Sequence, residues 1–334
     1  MASYKLDQFF CNYPFCHFTR QPKTTLFQIK ISLNEPVPHP GSIPHRNWLI
    51  GVKFYPTNQT KNISSDRRKG DTESGSPTVK KRETLIVPSD FIKYVAKIKK
   101  CAVDKIRVPS RLLVTYQTRT YERARSLISG KSVGWWAYGE MQPFCVGSLN
   151  NQVIGAIRLF VGASAAAMAL EEVIACGAKT IFEVGFSGGL QPFLEAGSIV
   201  VITETVCDEG TSRHYLPPKA KAMPSERLKN KLIDQLDKEK VRHFVGSVWS
   251  TDGVYRETLS KFRKFRNAGV LCVDMETSAV LAVAKYRKVE AASAQVISDI
   301  VTENEWQPHF RHQSVTRNTE ILLRAVLKTL ANMP

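Results

Sequence analysis

The sequence predicts an α/β fold built on a largely parallel sheet covered by helices, and three stretches carry that prediction. Residues 153–161, Val-Ile-Gly-Ala-Ile-Arg-Leu-Phe-Val, read as a strand, and Gly162-Ala163-Ser164 deliver it to a small-residue helix pattern over 165–176. Gly177 ends that helix, and Thr180-Ile181-Phe182-Glu183-Val184 reads as the next strand. A strand–helix–strand unit of this kind pairs its strands in parallel. The third stretch is Val273-Asp274-Met275-Glu276-Thr277, which follows the apolar Gly269-Val270-Leu271-Cys272 and leads into helix composition over 278–287. Asp274 and Glu276 therefore stand at a strand-to-helix junction, where open α/β sheets bind ligands. From these residues alone, an acidic first turn complementing the helix dipole explains them better than a ligand contact does.

The chain has 334 residues, 43% of them hydrophobic, enough for one large α/β domain or two small ones. No run of about 18 apolar residues occurs, so no membrane span is expected. The first ten residues lack the uninterrupted apolar core of a secretory signal. Seven scattered cysteines with no CxxC spacing read as reduced thiols. A cytoplasmic protein without metal is the expectation, and the glycosylation patterns at Asn58 and Asn62 are then chance. The net charge of +17 raises nucleic acid as a partner. Its cations are dispersed, however, and never interleaved with aromatics, so nucleic-acid binding is the minority reading.

In chain order, residues 1–83 read as an N-terminal extension, partly a disordered linker, because 64–77 is polar, charged and short of large apolar residues. Cys11, Cys16 and His17 make an incomplete ligand set, and coincidence explains them better than metal. Residues 84–334 form the regular part. Thr84-Leu85-Ile86-Val87-Pro88 is expected as a strand and Asp90 onward as a helix, with Ser89 or Asp90 as its cap. After 180–184 comes a glycine-rich turn, Gly185-Phe186-Ser187-Gly188-Gly189-Leu190-Gln191-Pro192, of a kind that lets backbone N–H groups approach a ligand. Residues 196–204 give another turn and strand, and the polar 208–215 follow, where His214 is a candidate pocket residue. Residues 294–297 are an apolar run that delivers Ser298-Asp299.

Taken in order, these stretches resemble the nucleoside phosphorylase family, closest to its uridine phosphorylase branch, over roughly residues 84–330. The pieces are Gly162-Ala163-Ser164 with Glu171-Glu172, then 185–192, 208–215, 251–256, 273–277 and Ser298-Asp299. The resemblance implies a three-layer α/β/α fold with a mixed, largely parallel twisted sheet. It also implies cleavage of a nucleoside N-glycosidic bond by phosphate, releasing free base and ribose 1-phosphate. The substrate is a small-molecule nucleoside, uridine or a purine nucleoside. Inorganic phosphate is the co-substrate, with no other cofactor, and the chain forms a homo-oligomer, dimer or hexamer.

Residue by residue, the likeness makes Glu276 the ligand of the ribose hydroxyls, with Met275 against the sugar and Asp274 beside them. Asp299 becomes the acid that protonates the leaving base. Gly188, Val254, Tyr255, Arg256 and His214 are candidates for the base. Ser89, Lys93, Gly185, Ser187 and Gly188 form the phosphate or nucleophile region. Two departures from the family pattern bear on phosphate: its Pro-Gly-Asp-Pro loop is Pro88-Ser89-Asp90-Phe91 here, and its phosphate-binding arginine is Glu183. A carboxylate facing a dianion repels it, so the alternatives are a nucleosidase using water, of the methylthioadenosine/adenosylhomocysteine type, or an inactive nucleoside-binding homologue.

Overall fold

The structure, a computed structural model, describes residues 84–139 and 141–333. The expected extension and linker over 1–83, with Cys11, Cys16 and His17, lie outside the described residues.

The first described element is a helix, α1 (Pro88–Ile98), and the strand expected over 84–88 does not form. Leu85 and Ile86 are 96% and 84% exposed and pair with no strand among the described residues. Pro88 suits the first helical turn because that position needs no N–H, and the Asp90 carboxylate accepts from the Val87 N–H at 3.3 Å.

The strands are β1 (Arg111–Thr115), β2 (Lys131–Ser132), β3 (Phe144–Leu149), β4 (Gln152–Arg158), β5 (Thr180–Gly189), β6 (Ile199–Asp208), β7 (Phe244–Thr251), β8 (Cys272–Asp274), β9 (Glu290–Val301) and β10 (Trp306–Pro308). Their order in the single sheet is β10-β9-β6-β7-β8-β5-β1-β4-β3-β2. The sheet is mixed: β4-β1-β5-β9 and β6-β7-β8 pair in parallel, while β8 on β5 and β6 on β9 are antiparallel. Because β9 also pairs with β5, the strands β9, β6, β7, β8 and β5 close into a ring.

Helices cover both faces. On one, α1 packs on α3 (Ala163–Ala175), which packs on α6 (Thr277–Arg287); on the other, α2 (Thr118–Leu127) and α4 (Glu226–Lys238) pack on α7 (Gln313–Ala331). Strand β5 shows why both faces must be covered, since Ile181 enters the first core and the adjacent Phe182 the second. A seventh helix, α5 (Leu259–Asn267), buries Phe262 and Phe265 against Trp249 of β7.

The expected glycine-rich turn after Val184 is instead the second half of β5. A Cβ on Gly188 would fall 3.0 Å from the Asp299 carboxylate and from Val301, and one on Gly189 3.1 Å from Ile297 and Ile300. These glycines let β9 lie close along β5, past a register shift at Ser187/Gly188, and let β8 join from the other side. The local signal of a loop is thus the signal of a crowded strand crossing. Asp299 correspondingly lies within β9 and caps no turn.

Candidate active site

The carboxyl ends of β1, β5, β7, β8 and β9 converge on one cavity of about 770 Å³. Each strand end supplies what its sequence allows. Strand β8 ends at Asp274, and Met275-Glu276 bridge to α6. Strand β5 brings Phe186, Ser187 and Gly188, and β9 brings Ser298, Asp299 and Val301. A 3₁₀ turn after β7 (Val254–Arg256) contributes Val254 and Tyr255, and Glu257 follows it. Trp306 and Phe310, with rings 6.1 Å apart, form an aromatic wall beside Asp299.

Glu276 is buried at the cavity floor, where the Gly162 N–H donates to Oε1 at 2.7 Å and the Met275 N–H to Oε2 at 3.3 Å. Gly162 has φ 108°, a conformation open to glycine, and this aims its N–H across the gap between β4 and α3. Burial, and then the charges of Asp274 and Glu183, push the Glu276 carboxyl up to about 8. Asp274 also lines the cavity, but its oxygens are engaged by protein donors: Ser250 Oγ donates to Oδ1 at 2.6 Å, and the Thr277 N–H to Oδ2 at 3.1 Å. These bonds also hold the first turn of α6, and with it Glu276, in place.

Asp299 accepts from Trp306 Nε1 at 2.8 Å and from Ser298 Oγ at 2.7 Å, so its carboxyl is fixed at the aromatic end of the cavity. Glu257, which sequence reasoning missed, stands near it. Burial and the Asp299 charge push Glu257 up to about 7. Its only signal in the sequence was adjacency to the 251–256 segment.

Of the other expected residues, Met275, Ser187, Gly188, Val254 and Tyr255 line the cavity. Gly185 does not: a Cβ there would meet Gln295 Oε1 at 2.5 Å, because Gly185 faces the buried side of β5. Ser89 and Lys93 are exposed on α1, Lys93 lying 3.9 Å from Asp90, because that helix turns Ile92, Val95 and Ala96 inward. Besides Met275-Glu276, a strand-to-helix junction that reaches the cavity is Tyr116-Gln117, between β1 and α2. The apolar run Leu112-Leu113-Val114 before it was the signal available. His214, in a 3₁₀ turn (Thr211–His214), and Arg256 are exposed and lie outside the lining. Glu171 and Glu172 serve the scaffold, the first pairing with Arg287 at 2.5 and 2.9 Å, the second accepting from the Tyr138 hydroxyl at 2.8 Å.

Glu183 is fully buried behind the floor. Tyr116 donates its hydroxyl proton to Oε1 at 2.5 Å, and Thr277 Oγ1 lies 2.9 Å from Oε2. Burial, then the Asp274 charge, push Glu183 up to about 7, and burial raises Asp274 too. Among the described residues, four carboxyls line the cavity (Glu257, Asp274, Glu276 and Asp299), and the lining includes no lysine or arginine. No cluster that could hold a metal and no helix long and apolar enough to cross a membrane occurs among the described residues.

These raised carboxyls set the pH dependence of stability. The unfolded chain releases their protons near pH 4.3, whereas the folded chain keeps them until about pH 7 to 8 on Glu183 and Glu276. The folded state binds more protons throughout that window, so stability is highest near its acid end and falls as pH rises. The melting temperature is expected to drop between about pH 5 and pH 8, and Glu183→Gln is expected to flatten that slope. A melting temperature that rises over the interval contradicts this electrostatic description.

Similarity to known proteins agrees with the geometry. The chain is 28% identical over 162 residues to the uridine phosphorylase of Treponema pallidum, covering 45% of this chain and 63% of that protein. It is 30% identical over 146 residues to the guanosine phosphorylase of Halorubrum lacusprofundi, covering 43% and 61%. The chain thus spans less than two thirds of the length of these relatives. Uridine phosphorylase from Vibrio fischeri superposes with a TM-score of 0.60 at 22% identity, over 69% of this chain and 95% of that one. Purine nucleoside phosphorylase from Toxoplasma gondii does so with 0.62 at 22%, over 69% and 92%. These two share the fold. The sequence profile of the phosphorylase superfamily matches residues 120–330, which hold nearly every cavity residue described above, and the chain belongs to that superfamily.

Proposed function

We propose that the protein binds a ribonucleoside in this cavity and cleaves its N-glycosidic bond with water as the nucleophile. Support for a nucleoside comes from the ordering of the cavity. A buried carboxyl, Glu276, stands ready for vicinal hydroxyls beside an apolar Met275, while Asp299, Glu257 and the Trp306/Phe310 wall face a flat heterocycle at the other end. A carboxylate accepts both hydroxyl protons, and its charge favours the oxocarbenium-like transition state.

The observation that carries the choice of water is the charge of the lining. Among the described residues, four carboxyls and no cation line the cavity, a poor site for a phosphate dianion, and the position behind the floor is filled by Glu183. The names of the relatives favour phosphate, and that second reading requires cations brought in from outside the present lining. The rim offers a place for a neighbour, since Tyr255, Trp306 and Phe310 are 96%, 58% and 48% exposed, in keeping with a homo-oligomer.

Incubation with uridine, inosine, guanosine, adenosine and methylthioadenosine, with and without phosphate, tests the proposal. Base release indifferent to phosphate is expected. Release that requires phosphate restores the phosphorylase reading, and binding without release marks an inactive homologue. The base preferred is read from the same panel.

A further inference from the structure

The hydrolytic reading leaves open what activates the water, and the floor of the cavity holds an arrangement that the sugar and base do not explain. Tyr116 lines the cavity, and its hydroxyl lies 2.5 Å from a carboxyl with no exposure to solvent. The titratable groups bearing on Tyr116 are Glu183, Glu276 and Asp274, and Tyr116 lines the same cavity as Glu276, the expected ribose ligand.

Hydrogen-bond counting behind Tyr116 fixes a proton. Thr277 Oγ1 contacts both Glu183 Oε2 and Asp274 Oδ2, and it also accepts from Gln295 Nε2 at 3.0 Å. A hydroxyl has one proton, so it donates to one carboxyl and must accept from the other, which is then protonated. When Asp274 holds that proton, Thr277 and Tyr116 both donate to Glu183, the pattern an ionised carboxylate requires. The cluster therefore shares one proton between Asp274 and Glu183, and with that proton on Asp274 Glu183 is an anion that reaches the cavity through the Tyr116 hydroxyl. Its affinity for protons, near 7, suits exchange around neutrality.

We infer that Tyr116 is a catalytic residue that takes the proton of the attacking water, with Glu183 as the positioning residue behind it that receives the tyrosine's own proton. The inference rests on the hydrolytic reading. The oxygen of water forms its bond to C1′ of the ribose as the C1′–N bond breaks. The bonding pair leaves on the base nitrogen, which takes a proton from Asp299. The water's proton passes to the Tyr116 oxygen while the Tyr116 proton passes to Glu183. Nucleoside and water give ribose and free base, and exchange with solvent resets the two carboxyls.

The test uses the full chain, with wild type, Glu183→Gln and Tyr116→Phe. Wild type in ¹⁸O-water without phosphate is expected to place label on C1 of the released ribose. Both variants are expected to lose at least tenfold in kcat with KM for the nucleoside unchanged. Azide, a nucleophile that needs no deprotonation, is expected to restore base release in both and to yield ribosyl azide. Damage to the site alone would not be rescued in this way. Should either variant melt early, the other carries the comparison. Variants that keep wild-type kcat, or whose loss azide does not relieve, overturn the inference while leaving hydrolysis standing. Base release by wild type only in the presence of phosphate overturns the hydrolytic reading itself.

Discussion

Glu276→Gln is expected to lower turnover about a hundredfold while leaving the fold intact. The carboxyl is buried, receives the Gly162 and Met275 N–H groups, and is held largely protonated in the free protein by burial and by Asp274 and Glu183. An amide has nearly the shape of that neutral acid but one acceptor fewer for the two N–H groups, so the substitution costs the folded protein about one hydrogen bond, on the order of 1 kcal/mol. The charged state matters only when the sugar ring becomes cationic, since a positive C1′ next to Glu276 favours its ionisation and is favoured by it. Losing one such interaction costs on the order of 3 kcal/mol in the transition state. A merely structural acid at the head of α6 would cost at most about 1 kcal/mol of stability and leave turnover alone. Turnover and melting temperature measured on one preparation separate the two. A fully active Glu276→Gln protein removes Glu276 from the sugar site.

Residues whose role follows from a strand-to-helix junction were legible in the sequence. Asp274, Met275 and Glu276 sit where the apolar run before them and the helix pattern after them place them. The unit β4–α3–β5 was legible for the same reason, because a buried parallel strand is a continuous apolar run. What could not be read was long-range. Nothing local distinguishes Gly188 in a phosphate-cradling turn from Gly188 making room for Asp299 of a strand over a hundred residues later. Ser89 and Lys93 were misplaced because a proline, an aspartate and a following cation resemble a loop motif at α1. The β1–α2 junction that reaches the cavity, Tyr116-Gln117, carries no glycine to announce it. Glu257, Trp306 and Phe310 come from segments without periodicity, and only the convergence of β7 and β9 brings them together. Glu183 looked in the sequence like a repulsive intrusion. In the fold it is a satisfied member of a buried network, a property set by partners from the β1–α2 junction and α6.

Asp299→Asn is expected to have the larger effect on natural nucleosides, a loss of about 10²- to 10⁴-fold, the range general acid catalysis supplies. Departure of a base demands a proton on its ring nitrogen, and an asparagine has none to give at that strength. The geometry isolates this role well. Trp306 Nε1 and Ser298 Oγ fix the carboxyl, and Gly188 leaves the space in which it lies, so the isosteric amide keeps the packing. The neighbouring Glu257, pushed up to about 7 by burial and by the Asp299 charge, can hold a proton at the same end of the cavity near neutrality. Among the described residues no donor fixes it as Trp306 fixes Asp299, so it is expected to restore only part of the loss. The decisive comparison uses 4-nitrophenyl riboside, whose leaving group departs as an anion without protonation. Asp299→Asn is expected to cleave this riboside at close to the wild-type rate while failing on inosine or uridine. An equal loss on both substrates shows that Asp299 acts on sugar binding or on the nucleophile, and takes the role of acid away from it.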